Sequence, residues 1–303
     1  MDRVFEFYEW GFYIGEGSFV TVFNFFVLLL ILSDKKLRAN DELVFIGGLC
    51  AADLIDGIAY VNSGIVRMWN LVEGLDRTQQ PQLTCFRTSF VILFFYGYQL
   101  PAWMIFIVSI DRFCAVFMPI SYGKITSNAR ILVMLASFLW VSIFFAVSAY
   151  FEYDYANGTA SVQCLAADVM LPGIWETVIG QRIVIISICM IIYIPIILKT
   201  RKILTRHSEE KQRRFNVTIG ITIFAALVLL VIPDAIVFFD VFGLSRFHTF
   251  FYVISLHKCV VNIFVYTLRH KELRRKISSC MKLRSLRRTS PLTTSVNLTQ
   301  LVA

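Results

Sequence analysis

The pair Asp111-Arg112 closes a long apolar stretch and offers the clearest chemistry in the sequence. An acid beside a base is costly inside the hydrocarbon of a bilayer and tolerable at its margin. Pro119 and a more polar run follow within a few residues, as expected where a chain leaves a membrane. The pair therefore predicts a charge-based switch at a cytoplasmic membrane face.

Ionisable residues inside the apolar stretches are the next candidates, because such residues in membranes usually serve function. They are Asp53, Asp56, Asp234, His257 and Lys258. Asp53 and Asp56 stand three apart and share a helix face, while Lys258 forms a stripe with Asn262 and Tyr266, four and eight residues later. Pairing of Lys258 with either aspartate would relieve the desolvation of both groups. The alternative is that Lys258 snorkels towards water and the acids are neutral.

Asp234 directly follows Pro233 within an apolar stretch. Proline frees a backbone carbonyl and kinks a helix. A kink here predicts a hinge, with Asp234 lining a cavity beside it. The alternative is a purely structural kink.

The elements that must hold these residues are membrane-spanning helices. Apolar residues make up 57% of the 303 residues and charged residues 17%, against roughly 25% charged in soluble domains. A helix needs about 20 apolar residues to cross a ~30 Å hydrocarbon core. Seven stretches qualify as segments 1 to 7: 12–32, 43–66, 88–110, 130–150, 178–198, 217–241 and 247–267. They predict an all-α membrane protein, a seven-transmembrane-helix bundle with a short amphipathic cytoplasmic helix.

The placement of basic residues predicts the orientation. Of the 29 Lys and Arg residues, 22 lie on the side that carries the connections 1–2, 3–4 and 5–6 and the tail. The positive-inside rule puts this side in the cytoplasm and the N-terminus outside. We expect a multi-pass plasma-membrane protein, and the net charge of +8 is a topology signal rather than a sign of nucleic-acid binding.

This topology divides the chain into four parts. They are a short extracellular N-terminus at 1–11, a seven-helix transmembrane domain at 12–268, a juxtamembrane amphipathic helix at 269–282 and a disordered tail at 283–303. The helix at 269–282 is basic on one side, which suits an anionic inner leaflet. Cys280 at its end is a candidate for lipidation, with a free thiol as the alternative.

Two modifications are predicted on the outer face. Only Cys85 and Cys164 among the seven cysteines face outside, where disulfides persist, so we expect them to pair. Three Asn-x-Ser/Thr triplets occur, and only the one at Asn157 faces outside, as glycosylation requires. No Cys/His spacing is typical of a metal site, and no nucleophile stands with its base, so an enzyme is not expected.

Taken in order over about 12–280, these residues resemble a rhodopsin-like (class A) G-protein-coupled receptor. The matching positions, one set in each segment, are Asn24, Leu49-Cys50-Ala51-Ala52-Asp53-Leu54, Asp111-Arg112-Phe113, Trp140, Tyr193, Pro233 and Asn262-Ile263-Phe264-Val265-Tyr266. The Phe-rich segments and short N-terminus are most similar to nematode chemosensory serpentine receptors of the SRSX kind.

The resemblance implies a mechanism. Asp111 would hold Arg112 at rest, and segment 6 would swing outward on activation. Arg112 would then turn towards Tyr193, Tyr266 and the C-terminal helix of a Gα subunit. The implied partners are a heterotrimeric G protein, the lipid membrane and a small-molecule or peptide ligand.

The ligand is expected to enter the bundle near Phe94, Phe95, Tyr98 and Asp234. Amine receptors of this family hold the ligand's ammonium with an Asp eighteen residues before the Arg. Phe94 stands there in this chain. The resemblance therefore argues against a monoamine ligand.

Departures from the family pattern leave alternatives open. Leu230-Val231-Ile232 replaces the Cys-Trp before the segment 6 Pro, Ile263 replaces the segment 7 Pro, and Cys85 lies 27 residues before Arg112 where 25 is usual. The top of segment 3 must therefore differ. A decoy or a subunit of a heteromer is one alternative, and a transporter or channel is another.

Lys258 stands where many family members help to coordinate a sodium ion beside the segment 2 Asp. We expect its ammonium to replace that ion. An opsin is disfavoured, because the retinal-binding lysine lies six residues before the segment 7 Asn, where this chain has Leu256. No cofactor is expected.

Overall fold

Seven helices are long and apolar enough to cross a membrane in the computed structural model, which describes residues 3–155, 157–202, 210–270 and 272–279. The predicted seven-helix bundle is thereby confirmed. Helices 1 to 7 are Arg3–Ser33, Asp41–Val72, Ser89–Phe117, Ser127–Tyr155, Pro172–Lys202, Glu210–Ala226 continued by Leu227–Val231 and Ile232–Phe238, and His248–Arg269.

The helices extend past the apolar stretches that predicted them. Helix 1 begins at Arg3, so residues 3–11, assigned from the sequence to an extracellular N-terminus, belong to the first long helix. No proline separates them from segment 1, so nothing in the sequence ends the helix at the membrane surface. Hydropathy marks the hydrocarbon-spanning part of a helix, not its ends.

Helices 1 and 2 approach each other closely through glycines. An added Cβ at Gly17 would lie 3.0 Å from the carbonyl oxygen of Gly57, and one at Gly57 would lie 3.0 Å from the backbone nitrogen of Thr21. Gly64 faces the carbonyl oxygen of Trp10 in the same way, at 3.1 Å. Small residues at such spacings let membrane helices pack backbone to backbone. This pair therefore forms a fixed wall of the bundle.

Helix 6 is not a continuous α-helix. A π-helical stretch, Leu227–Val231, interrupts it immediately before Pro233. Both features remove regular i→i+4 hydrogen bonds, so the helix is locally weak there. The sequence predicted a kink from Pro233 alone, and the irregular part starts about one turn earlier.

Short elements close the two ends of the bundle, which are named outer and cytoplasmic after the orientation predicted from the basic residues. On the outer side, strand β1 (Gln79–Pro81) pairs antiparallel with β2 (Thr159–Ser161). On the cytoplasmic side lie the short helices Lys35–Arg38 and Pro119–Tyr122 and a helix at 272–279. Asp34 and Asn40 cap the first two cytoplasmic helix starts by accepting from the backbone nitrogens of Lys36 and Glu42, at 2.8 and 3.2 Å.

The predicted disulfide between Cys85 and Cys164 is present and joins residues 79 positions apart. Cys85 lies on a short helix of its own, Gln82–Phe86, and helix 3 starts afresh at Ser89. This break accommodates the two extra residues between Cys85 and Arg112. In the chain-entropy account, a loop of this size contributes about 4 kcal/mol of stability.

Candidate functional site

Arg112, at the cytoplasmic end of helix 3, is held by its neighbour. Its Nε donates to Asp111 Oδ2 at 2.9 Å, and its Nη2 also contacts that carboxylate. Nη2 donates as well to the hydroxyl of Tyr122, at 2.7 Å, and this hydroxyl donates to Asp111 at 3.1 Å. Arg112 is only 3% exposed. Asp111, Arg112 and Tyr122 thus form a closed triangle.

A second arginine shares the Asp111 carboxylate. Arg130, at the start of helix 4, lies 3.4 Å from Asp111 Oδ1 and 2.6 Å from Asp41 Oδ2 of helix 2. Its guanidinium also lies 4.9 Å from the centre of the Tyr122 ring. The sequence suggested only a topology role for Arg130 and no role for Tyr122. Their sites depend on the loop between helices 3 and 4, which local spacing does not determine.

Burial raises the pKa of Tyr122, which lies outside the membrane-spanning helices. The neighbouring Asp111 raises it further, and Arg112 and Arg130 lower it in part. The hydroxyl therefore stays protonated at neutral pH and donates to Asp111 throughout the physiological range.

Helices 5 and 6 are joined below the weak point of helix 6. The hydroxyl of Tyr193 donates to the backbone carbonyl of Asn216. Gly220, one turn further along helix 6, makes room for the ring, because a Cβ there would lie 2.9 Å from Tyr193 Cε1. Tyr266 of helix 7 is buried at the same cytoplasmic end. In this conformation the proton of Tyr193 is engaged with helix 6.

A cavity of about 680 Å³ opens on the cytoplasmic side next to the Arg112 triangle. Its walls carry both signs of charge: Lys36, Asp41, Glu42, Arg112, Glu272, Arg275 and Lys276. The juxtamembrane helix at 272–279 is tied to its rim by Lys276 Nζ with Asp34 Oδ2 at 2.6 Å, and by Asn40 Nδ2 with Glu272 Oε2 at 3.2 Å. The hydrogen bond from Lys276 and that from the Lys36 backbone lower the pKa of Asp34.

The polar residues of the membrane interior gather around Asp53. Lys258 Nζ donates to Asp53 Oδ1 at 2.6 Å, and Asn262 Nδ2 donates to Oδ2 at 2.9 Å. Asp53 and Lys258 are at most 1% exposed. Asn24 is buried nearby, but its amide donates to the carbonyl of Val20 in its own helix at 3.0 Å. The ammonium of Lys258 thus satisfies the carboxylate from inside the protein.

Asp56 lies one turn outward and is in a different state. Its Oδ2 accepts a weak hydrogen bond from the Cys259 thiol at 3.7 Å, and its Oδ1 lies 2.5 Å from where a Cβ on Gly97 would be. The side chain is half-buried, and no cation within the described ranges forms an ion pair with it. Asp56 therefore lies between helices 2, 3 and 7 without a direct ion-pair partner among the described residues, although the charges of Lys258 and Arg182 act on it from a distance.

Asp234 is buried against an arginine that the sequence did not single out. Arg182 Nε of helix 5 donates to Asp234 Oδ2 at 2.6 Å, and its Nη2 contacts Oδ1. The guanidinium also stands over the ring of Tyr98, 4.5 Å from its centre. Both charged side chains are 4% exposed. From the sequence, Arg182 was an ordinary outer-face charge, since its partner lies 52 positions away.

Aromatic side chains surround this pair. The ring of Tyr98 contacts those of Phe94, Trp175 and Tyr252, with centres 5.6 to 5.9 Å apart. Phe95 points elsewhere, packing on Phe144 and Phe145 of helix 4. Consecutive helical residues project about 100° apart, so Phe94 faces Tyr98 whereas Phe95 faces helix 4. In this conformation Phe95 packs on helix 4, and its place in the ligand pocket stays a prediction.

A second buried arginine, Arg67, holds the 157–171 loop at the outer end of the bundle. Arg67 of helix 2 is 2% exposed and donates to the backbone carbonyls of Gln163 and Cys164, at 2.8 and 3.0 Å. The centre of the nearest aromatic ring, that of Trp10, lies 5.0 Å away. Together with the disulfide, this contact holds the 157–171 loop against helix 2. Sequence patterning gave no signal for it.

The predicted modification sites have different standing. Asn157 is exposed beside β2, where it is accessible to modification. Cys280 and the tail at 283–303 lie outside the described residues.

Comparisons with known proteins agree with this architecture. The family described as serpentine type 7TM GPCR chemoreceptor Srsx matches residues 18–281. Cannabinoid receptor 1 of Xenopus laevis is 25% identical over 297 residues, covering 87% of this chain. Cannabinoid receptor type 1B of Takifugu rubripes is 25% identical over 86% of the chain, and cannabinoid receptor 1 of Taricha granulosa 23% over 85%. The chain spans about 60% of the length of these relatives.

Proposed function

Because the chain belongs to the Srsx family of serpentine seven-transmembrane G-protein-coupled chemoreceptors, we propose that it is a chemosensory receptor of the plasma membrane. Its N-terminus is outside, and a ligand bound among the outer aromatic residues drives coupling to a heterotrimeric G protein inside. The relatives and the family are receptors, so the protein is a non-enzyme. The transporter and channel interpretation is set aside on the same ground.

The arrangement of Arg112 carries the proposal. Its guanidinium is buried, tied to Asp111 and Tyr122, and borders a cytoplasmic cavity with walls of mixed charge. A buried ion pair released by a conformational change provides a two-state switch. On activation Arg112 leaves Asp111 and contacts the incoming Gα helix, and Tyr193 and Tyr266 stabilise the new position.

The motion is assigned to helix 6. Its π-helical stretch and Pro233 weaken it in the middle. The lower half is tied to helix 5 by the hydroxyl of Tyr193, which donates to the Asn216 carbonyl, and by the Asn216 amide, which donates to Thr200 Oγ1 at 3.3 Å. Outward rotation about residues 227–233 breaks these contacts and enlarges the cytoplasmic cavity. Helix 6 lacks the Cys-Trp that family members carry before the segment 6 Pro, and its weak stretch at 227–233 compensates for that loss.

The test is a recruitment assay with a panel of mini-Gα proteins in cells. Wild type is compared with Arg112→Ala and with Arg38→Ala, an exposed arginine of the first cytoplasmic loop, at matched surface expression. Recruitment, basal or evoked, should disappear in Arg112→Ala and persist in Arg38→Ala. If no Gα is recruited by a well-expressed receptor, the decoy or heteromer interpretation replaces this one.

A second ligand candidate comes from the names of the relatives. Three of them are cannabinoid receptors, and the aromatic surroundings of Tyr98 suit an apolar ligand. Cannabinoid agonists therefore belong in the same assay. The buried Arg182 and the half-buried Asp56 favour a charged ligand instead.

A further inference from the structure

The outer half of the bundle contains two charged groups whose binding capacity is incompletely used. Arg182 carries five N–H donors in a planar fork. Asp234 occupies the edge formed by Nε and Nη2, and no other acceptor for Arg182 lies among the residues described. The Nη1 side of the fork therefore remains available to a second carboxylate, in the geometry that arginine prefers.

Asp56 supplies the opposite charge. Asp53 and Tyr60, on the same stripe of helix 2, are at most 1% exposed, whereas Asp56 is half-buried. Its carboxylate is flanked by Gly97 of helix 3 and Cys259 of helix 7, so it faces the interior of the bundle, where these helices meet. A carboxyl group without a direct partner in such a place either takes up a proton or binds a cation, and a ligand ammonium would supply that cation.

Helix 3 brings the two groups to the same level of the bundle. Asp56 contacts Gly97, and Arg182 stands over the ring of Tyr98, the next residue. The absence of a side chain at Gly97 is required, because a Cβ there would lie 2.5 Å from Asp56 Oδ1. The ring of Tyr98, under the Arg182 guanidinium, stacks on that of Phe94.

We propose that the ligand is a small zwitterion of the amino-acid class, whose ammonium binds Asp56 and whose carboxylate binds the open side of Arg182. The body of the ligand packs on Tyr98. This assignment rests on the proposed receptor function and specifies its ligand class.

The opposite charges of Asp56 and Arg182 imply that a ligand with only an ammonium or only a carboxylate would bind less tightly than a zwitterion. A simple amine would bind Asp56 but would leave the open side of Arg182 without an anion. The partner that Arg182 already has is Asp234. A simple acid would bind Arg182 near the repelling carboxylates of Asp56 and Asp234. Each charge-assisted hydrogen bond lost from a buried site lowers affinity by about tenfold or more.

The experiment uses matched sets of probes that differ only in their charged ends. The twenty standard L-amino acids and γ-aminobutyrate are screened first by thermal shift of the purified full chain in nanodiscs, which requires no G protein. For each one that binds, the amine lacking its carboxylate and the acid lacking its amine are compared, for example phenethylamine and 3-phenylpropanoate beside L-phenylalanine. We expect at least one amino acid to bind tenfold or more tightly than both analogues.

Two variants assign the ends of the ligand. Asp56→Asn should remove the advantage of the amino acid over the acid, and it should fold because no ion pair is broken. Arg182→Lys keeps the charge for Asp234 but not the planar fork, and should remove the advantage over the amine. Glu176→Gln, an exposed acid of helix 5, should change neither.

Three results overturn the assignment: no amino acid binds, an analogue binds as tightly as the amino acid, or both variants bind like wild type. Binding without recruitment of any Gα would support the ligand class and overturn the coupling. Arg112-dependent recruitment in a receptor that binds none of the probes would do the opposite.

Discussion

The buried pair of Lys258 and Asp53 leads to the most decisive prediction for the membrane interior. Lys258→Met removes the ammonium and leaves the Asp53 carboxylate with Asn262 as its remaining hydrogen-bond donor among these residues. Removing one partner of a buried ion pair costs about 3–5 kcal/mol. At roughly 2–4 °C per kcal/mol, the melting temperature should fall by about 6–20 °C. Lys35→Met, an exposed lysine of the first cytoplasmic loop, should leave it unchanged.

The double variant separates the charge pair from the packing. Asp53→Asn with Lys258→Met contains no buried charge at this site, so it should recover most of the stability that Lys258→Met loses. The measurement is thermal unfolding of purified receptor in nanodiscs, read as a double-mutant cycle. Additive effects of the two substitutions would refute the pair as the source of stability.

Sodium provides a second reading of the same site. If the Lys258 ammonium replaces a bound cation, the wild type should unfold at the same temperature in sodium and in N-methylglucamine chloride. Lys258→Ser opens space beside Asp53 and adds an oxygen, so sodium should stabilise this variant by several degrees. A several-fold effect of sodium on agonist affinity in the wild type, lost in Asp53→Ala, would refute the replacement.

Three further predictions concern the switch, the packing and the cytoplasmic rim. Tyr122→Phe removes two hydrogen bonds from the Arg112 triangle, so basal mini-Gα recruitment should rise several-fold at matched expression. An unchanged basal signal would show that Tyr122 does not help to hold Arg112 at rest. Gly57→Leu should overpack the contact with helix 1 and destabilise the receptor by about 1–3 kcal/mol, seen as lower surface expression, whereas Gly173→Leu, with open space around it, should not. Lys276 lowers the pKa of Asp34, so their pairing stabilises the juxtamembrane helix above the ordinary Asp pKa of about 4 and is lost as the pH falls further. After correction for the intrinsic exchange rate, hydrogen exchange at 272–279 should therefore accelerate on acidification in the wild type. In Asp34→Asn the corrected rate should not depend on pH.

The sequence predicted what the bilayer imposes and missed what the tertiary fold decides. Seven spans follow from hydropathy because hydrocarbon thickness sets a minimum length. A charge pair around Lys258 could be expected because a lone lysine deep in a segment needs an anion. Arg182 and Arg67 were missed because both stand near the outer ends of their segments, where an arginine usually reaches water. Whether such a side chain turns inward depends on partners on other helices, which spacing along one helix does not encode.

Helix 5 contacts helix 6 on both sides of the weak stretch at 227–233. Under the proposed function, these two contacts would link the ligand site around Arg182 to the Arg112 triangle. Arg182 grips Asp234 just beyond Pro233, and Tyr193 grips the Asn216 carbonyl below the π-helical stretch. In the proposed complex, a ligand carboxylate on the Nη1 side of Arg182 would also approach Nη2, which Asp234 already contacts, and would weaken the contact of Arg182 with Asp234. The two halves of helix 6 are then joined only through residues 227–233, so a change in the upper half alters the strain on the lower contact. Under the proposed function, the Arg182–Asp234 pair above the weak stretch and that stretch itself would together replace the Trp that is missing before the segment 6 Pro.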